Sequence, residues 1–270
     1  MMRAVNAAAS EPDPVSERKR SVSVVVPVFN SAASLDELSE RIVSTMSSVA
    51  GVEVWELILV NDGSKDESWD RVVALSREHP EVRGIDLTRN WGQHNALLAG
   101  IHAARHELIV TLDDDLQNPP EEIPRLLDAL GPELDVVYGV PIASAHPTHR
   151  RIGGKTLRAI LRVLTGRREA MLGSGFRAFR AELGDRLPQA AGRHFVLDSS
   201  LRSSTDRVGS LEVRHESRRI GRSNYTFGML VRLAFTEIVT DLPFKRRSEY
   251  RQPSYMVRTA TEANSSRHDS

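Results

Sequence analysis

ELIVTLDDDLQNPPEEIPRLLDAL (residues 107–130) decides how this chain folds. ELIVTLD (107–113) is an apolar run of strand length, and PPEEIPRLLDAL (119–130) has helical spacing with proline in its first turn, where a helix tolerates it. Between them stand three consecutive carboxylates. The same grammar extends outward in both directions. SVSVVVPVF (21–29) is β-branched and uncharged, so it reads as a strand buried on both faces. SLDELSERIVSTMSSV (34–49) is helical, VWELILV (54–60) a strand, DESWDRVVALSREH (66–79) a helix, VRGIDL (82–87) a strand and NALLAGIHAAR (95–105) a helix. DVVYGV (135–140) closes the series as a fifth strand. Strands alternating with helices build βαβ units and a mostly parallel sheet, whose ligands gather beyond the carboxyl ends of the strands. The polar clusters lie at those ends: Pro27 to Ser31, Asn61 to Ser64 and Asp113 to Gln117.

TLDDDLQNPPEE (111–122) carries the strongest chemical signal. Carboxylates this close repel one another, and burying them unpaired costs several kcal/mol each, about the size of a whole fold's margin. A hard cation such as Mg²⁺ or Mn²⁺ removes the conflict, because it favours carboxylate oxygens and takes phosphate oxygens as further ligands. Asp113 and Asp115 would share one face of an extended segment, with Gln117 adding a neutral oxygen. A solvated acidic loop capping the next helix is the competing reading. In LVNDGS (59–64), Asp62 is placed to accept hydrogen bonds from a base or ribose edge; an Asx-turn into the next helix explains the same residues without a ligand. In VPVFN (26–30), Pro27, Phe29 and Asn30 face the same crevice or simply end a strand.

The second half is less regular. RRIGGKTLRAILRVLTGRR (150–168) reads as a basic amphipathic helix, suited either to an anionic lipid surface or to packing on a core. VGSLEVRHE (208–216) reads as a strand, and TFGMLVRLAFTEIV (226–239) as a helix that Arg232 and Glu237 exclude from a bilayer. Residues 1–20 read as a disordered arm and 246–270 as a polar tail, leaving residues 21–140 and 141–245 as two halves of one domain. Equal numbers of acidic and basic side chains, 36 of each, hide an asymmetry. Residues 1–140 hold 24 acidic against 12 basic side chains and residues 141–270 the reverse. An acidic half can hold a cation and a basic half can attract phosphate. The chain has no cysteine, which excludes thiol nucleophiles and thiolate metal sites. Its basic residues form no compact nucleic-acid motif. Without a signal-peptide pattern or an apolar run of bilayer length, the expected location is the cytoplasm, peripheral at the inner membrane face.

VVVPVFN, LVNDGSKDES, LTRNWGQHNALLAGIHAA and LDDDLQNPPEEIPRLL, in this order, resemble the family 2 glycosyltransferases of GT-A fold, and within them the polyprenyl-phosphate glycosyltransferases. GSGFRAFR (173–180) and RRIGRSNYTFGMLVRLA (218–234) agree with that resemblance, which covers about residues 21–243. It implies a Rossmann-like, mostly parallel α/β sheet with a less regular acceptor-side C-terminal part. It also implies a nucleotide-sugar donor, a divalent metal (Mg²⁺ or Mn²⁺) and inversion at the anomeric carbon. Residue by residue, Asp113, Asp115 and Gln117 match the metal-binding DxDxQ. Pro27, Phe29, Asn30, Asp62, Asp114 and Arg89 fall on the donor, with Arg89 near its diphosphate. Arg177, Arg218, Arg222, Ser223 and Tyr225 meet donor or acceptor phosphate. Two departures stand out. Ser31 replaces the glutamate usual after the VPxxN asparagine, and MLGSGFR (171–177) lacks the carboxylate many relatives carry there. Asp198 is the replacement base, or else a helix residue in a salt bridge.

The resulting expectation is a glycosyltransferase moving a sugar from an NDP-sugar, UDP before GDP, onto a polyprenyl phosphate. A small-molecule acceptor and a non-catalytic nucleotide-sugar-binding protein are the alternatives. No nucleic-acid partner is expected, membrane contact would run through 150–168, and homo-oligomerisation stays open.

Overall fold

The computed structural model describes residues 3–4, 19–142, 174–188, 195–216 and 255–261. The segments 150–168 and 226–239 lie outside the described residues, as do Arg218, Arg222, Ser223 and Tyr225.

The described chain builds a nine-stranded sheet in the order β1-β8-β6-β7-β5-β2-β3-β4-β9. Its strands are β1 (Arg3–Ala4), β2 (Arg20–Val28), β3 (Val52–Asn61), β4 (Val82–Leu87), β5 (Leu108–Thr111), β6 (Val136–Pro141), β7 (Arg177–Arg180), β8 (Val208–Val213) and β9 (Val257–Ala260). The centre is parallel: β2 pairs with β3 from Arg20↔Val52 to Val28↔Asn61, β2 pairs with β5, and β3 with β4. Helices α1 (Ala32–Met46), α2 (Ser68–Glu78), α3 (Gln93–Ala103) and α4 (Ile123–Ala129) connect these strands.

Strand alternation assigns the faces. Val22, Val24, Val26 and Val28 of β2 point into one core with Leu35, Leu38 and Ile42 of α1, Val72 and Leu75 of α2 and Leu126 of α4. Val25 points the other way, into a second core with Leu97, Leu98 and Ile101 of α3 and with Leu197 and Leu201 of the helix Leu197–Ser204. Both faces of β2 are therefore dry from Val22 onward, which is why Val24–Val28 is continuously apolar rather than alternating.

The expected strands and helices of residues 21–140 are present within a few residues of their expected bounds. Three features depart from expectation. β7 inserts antiparallel between β5 and β6, in the registers Thr111↔Arg177 and Val137↔Ala178. Arg3–Ala4, inside the supposed disordered arm, pairs in parallel with Gly209–Ser210. Val257–Ala260, inside the supposed polar tail, forms an antiparallel edge strand on β4. An edge strand needs no apolar signature, because its backbone pairing and a few side-chain anchors carry it.

Those anchors are specific. Arg258 donates from Nη1 to Asp86 Oδ2 at 3.0 Å and from Nη2 to the Thr88 carbonyl at 2.9 Å, and Thr88 N–H donates to the Met256 carbonyl at 2.9 Å. Asp86 is 1% exposed, and its other oxygen accepts from Asn61 Nδ2 at 2.7 Å. The Arg258→Ala variant leaves a buried carboxylate oxygen without that donor, so it should lose about 1–3 kcal/mol in urea denaturation. In a double-mutant cycle with Asp86→Asn the two effects should be non-additive; simple additivity would show that the pair carries no coupling.

Candidate nucleotide-sugar site

The carboxyl ends of β2, β3, β4 and β5 each release a polar loop, and hydrogen bonds lock these loops together. After β2, the Phe29 N–H donates to Asp114 Oδ2 at 3.1 Å, and the Ser31 hydroxyl donates to the same oxygen. Ser34 Oγ donates to the Asp114 carbonyl at 2.9 Å. Asn30, at φ 54, accepts from the Lys65 N–H at 2.8 Å, while its own N–H donates to Ser64 Oγ at 3.0 Å. After β3, Asp62 is 3% exposed, and its two oxygens accept from the N–H groups of Trp91 at 2.7 Å and Gly92 at 2.9 Å. Gly63, at φ 66, sits so close to the loop after β4 that a Cβ would come within 2.4 Å of the Arg89 carbonyl carbon. A side chain fits there neither conformationally nor sterically.

The acidic loop is a turn rather than an extension of β5. The strand ends at Thr111, residues 114–115 turn, and Leu116 takes φ 59 while being 2% exposed. The expectation that Asp113 and Asp115 share a face of an extended segment is therefore corrected. The turn brings their charges together, and burial of the Leu116 side chain holds a backbone conformation that a leucine adopts only under constraint. Asp115 Oδ1 accepts from the Gln117 N–H at 3.1 Å, and the Gln117 carbonyl accepts from the Glu216 N–H at 2.8 Å.

Asp113 is the electrostatic centre. Burial first, then the charges of Asp115 and Asp114, push its carboxyl up to about 7, with the Arg177 cation opposing. Gln93 Nε2 donates to its Oδ1 at 2.6 Å. Burial also pushes Asp62 up to about 6, against the pull of the Trp91 and Gly92 N–H groups. Burial pushes His94 down to about 4, with the Asp198 anion opposing and the Arg177 cation reinforcing.

The sequence-derived site residues divide accordingly. Asp113 and Asp115 lie close enough at the carboxyl edge for their charges to interact, and Gln117 is tied to Asp115 through its N–H. Pro27, Phe29, Asn30, Asp62 and Arg89 stand at the ends of the neighbouring parallel strands, and the exposed Arg89 guanidinium lies 4.0 Å over the Trp91 ring. Asp114 braces the loop after β2, with Oδ2 turned to the 29–31 loop and its carbonyl to Ser34. Arg177 is placed as a buried cation. It is 1% exposed, its Nη1 is ion-paired with Asp198, and its guanidinium lies 5.9 Å from the Tyr138 ring centre. Asp198 lies in the first turn of Leu197–Ser204, in the salt-bridge arrangement rather than as a free base. Gln93, His94 and the hydroxyls of Ser31 and Ser34 were missed as site residues. RNWGQHNA (89–96) was the available signal for the first two, but no rule of spacing singles out a glutamine at a helix start.

The donor set fits a hard divalent cation. Asp113 and Asp115 offer only oxygen, their mutual repulsion is what a cation relieves, and Arg177 and Gln93 offset it in part. Among the described residues no three acidic or histidine side chains converge as a preformed metal cage. No described helix is long and apolar enough to cross a membrane.

Residues 23–186 match the family described as "Glycosyl transferase family 2". Undecaprenyl-phosphate 4-deoxy-4-formamido-L-arabinose transferase of Proteus mirabilis is 36% identical over 220 residues, covering 81% of this chain and 67% of that protein. The protein of the same name from Pectobacterium carotovorum is 34% identical over 217 residues, 80% of this chain and 66% of its own length. The chain thus spans about two thirds of the length of these curated relatives. Among solved structures, glucosyl-3-phosphoglycerate synthase from Mycobacterium tuberculosis aligns with a TM-score of 0.63 at 20% identity, over 88% of this chain and 85% of that one, in a complex with Mn²⁺, UDP and glucosyl-3-phosphoglycerate. Its complex with Mn²⁺ and UDP-glucose aligns at 0.62 and 21% identity, over 86% and 83%. At these identities the likeness speaks for the fold, which is the GT-A fold the sequence resembles.

A carboxyl raised by burial favours the folded state while protonated, and that contribution is lost as pH rises from the unfolded value near 4 through about 7. His94 acts in the opposite direction over part of this range, so the comparison must be differential. Metal-free Asp113→Asn should be more stable than wild type at pH 8 by up to about 4 kcal/mol, with the advantage vanishing near pH 4. Denaturation curves at several pH values check this, and a pH-independent difference would contradict it.

Proposed function

The chain belongs to glycosyltransferase family 2, and from that premise we propose that it transfers a sugar, with inversion, from a nucleotide-sugar donor onto a polyprenyl phosphate. UDP is the favoured nucleotide. The observation that carries the donor half of this reading is the pairing of Asp113 and Asp115 at the carboxyl edge of the parallel sheet, with Asp113 raised by burial and then by its neighbours' charges. Asp113, Asp115 and Gln117 would hold Mg²⁺ or Mn²⁺, which when bound neutralises the charge developing on the leaving diphosphate. Pro27, Phe29, Asn30 and Asp62 form the nucleoside side, and Asp62 also holds the 91–92 loop in place. Arg89, whose guanidinium lies over the Trp91 ring, would meet the diphosphate.

The acceptor half rests on the relatives' names and on a chemical argument. A phosphate monoester has a second pKa of about 6, so at neutral pH it is already an anionic nucleophile and needs little help from a base. A hydroxyl acceptor needs a carboxylate or histidine to take its proton. Among the described residues Asp198 is committed to Arg177, and burial keeps His94 a weak base. That disfavours the small-molecule hydroxyl acceptor. Arg218, Arg222, Ser223 and Tyr225 are proposed for the acceptor phosphate, and peripheral membrane contact is proposed for 150–168.

Incubation of the full chain with UDP- and GDP-sugars, Mn²⁺ or Mg²⁺ and a short polyprenyl phosphate should yield a glycolipid in which the anomeric configuration is inverted. Asp113→Asn and Asp115→Asn should each lower kcat at least a hundredfold, of the order of losing one strong charge contact in the transition state. Donor binding without lipid-linked product from any of these donors would refute the acceptor assignment.

A further inference from the structure

We infer that Gln93 and Gly175 are positioning residues that set the orientation of the Asp113 carboxylate for its cation. The inference rests on the metal–diphosphate reading of the site. Two contacts from different parts of the chain converge on this one group. From one side, Gln93 at the first position of α3 donates Nε2–H to Asp113 Oδ1 at 2.6 Å. From the other, Gly175 lies so close that a Cβ would fall 2.3 Å from both carboxylate oxygens and 2.5 Å from Cγ.

Gly175 cannot retreat from that contact. Its carbonyl accepts from Thr111 Oγ1 at 2.8 Å, the next residue's carbonyl accepts from the Gly139 N–H at 2.9 Å, and β7 then pairs with β5 from Thr111↔Arg177 onward. Any side chain at 175 would therefore have to displace the carboxylate. The hydrogen bond engages Oδ1 and restricts rotation about the carboxylate's last torsion. Turning the group over without Gln93 would leave a charged oxygen with no donor on that side. A glutamine suits this task better than a charged residue. A lysine there would compete with the cation, and a glutamate would add a fourth negative charge to a site already crowded with three.

The test reads metal affinity rather than turnover. Mn²⁺ is titrated calorimetrically into the full chain with and without UDP, for wild type, Gln93→Ala and Gly175→Ala, alongside thermal midpoints and metal-free UDP binding. Loss of a group that orients a metal ligand typically weakens the metal tenfold to a hundredfold. Gln93→Ala is expected to weaken UDP-dependent Mn²⁺ binding by that factor, with metal-free UDP binding and the thermal midpoint near those of wild type. Gly175→Ala should weaken it at least as much, and if that variant does not fold, Gln93→Ala decides alone. Mn²⁺ affinity within twofold of wild type in a folded Gln93→Ala overturns the inference while leaving the site reading intact. A wild-type chain that binds no Mn²⁺ in the presence of UDP overturns both.

Discussion

Three consecutive carboxylates at the end of a buried strand are an electrostatic conflict, and the loops around them are arranged to contain it. Each aspartate has a different solution. Asp114 is neutralised by geometry, its oxygen accepting from the Phe29 N–H and the Ser31 hydroxyl. Asp115 is bound into its own turn through the Gln117 N–H. Asp113 is raised by burial first and by the charges of Asp115 and Asp114 next, with Arg177 opposing. Buried charge of this kind is costly, and on the proposed reading a divalent ion with diphosphate oxygens would complete it.

The rest of the architecture serves that placement. Parallel pairing of β2, β3, β4 and β5 delivers four loops to one edge, and the loops brace one another rather than standing free. Asp62 reaches across to the 91–92 backbone, Asn30 to Lys65, and Gly63 lets the loop after β4 come close enough for these bonds. Such bracing costs orientational freedom once, on folding, and leaves the site ordered before a ligand arrives. The antiparallel insertion of β7 adds the second layer. It sets Gly175 against Asp113 and buries Arg177 beneath the site, where its charge offsets part of the repulsion while Asp198 keeps it paired.

The sheet was legible because its information is local. A strand dry on both faces must be continuously apolar, as VVVPVF is, and a helix with one wet face must be periodic. The acidic cluster was legible for a related reason: no structural explanation makes three adjacent carboxylates cheap at a strand end. Asp198 and Arg177 were not legible in the same way. Their meaning depends on the fact that β7 and the helix Leu197–Ser204 bring residues 21 apart into one buried pair. The same holds for β9, whose polar sequence hides a strand that exists because Asp86 and Thr88 wait for Arg258.

Chain order and side-chain type by themselves determined the α/β class, the run of elements from residue 21 to 140 and the identity of the acidic site, since hydrophobic periodicity and charge repulsion act over a few residues. Tertiary structure alone decided which charges are free and which are spent, that the DDD loop turns rather than extends, and that a glycine 62 residues away limits where Asp113 can point. Those outcomes depend on distances between segments far apart in sequence, and no local pattern encodes a distance across the sheet.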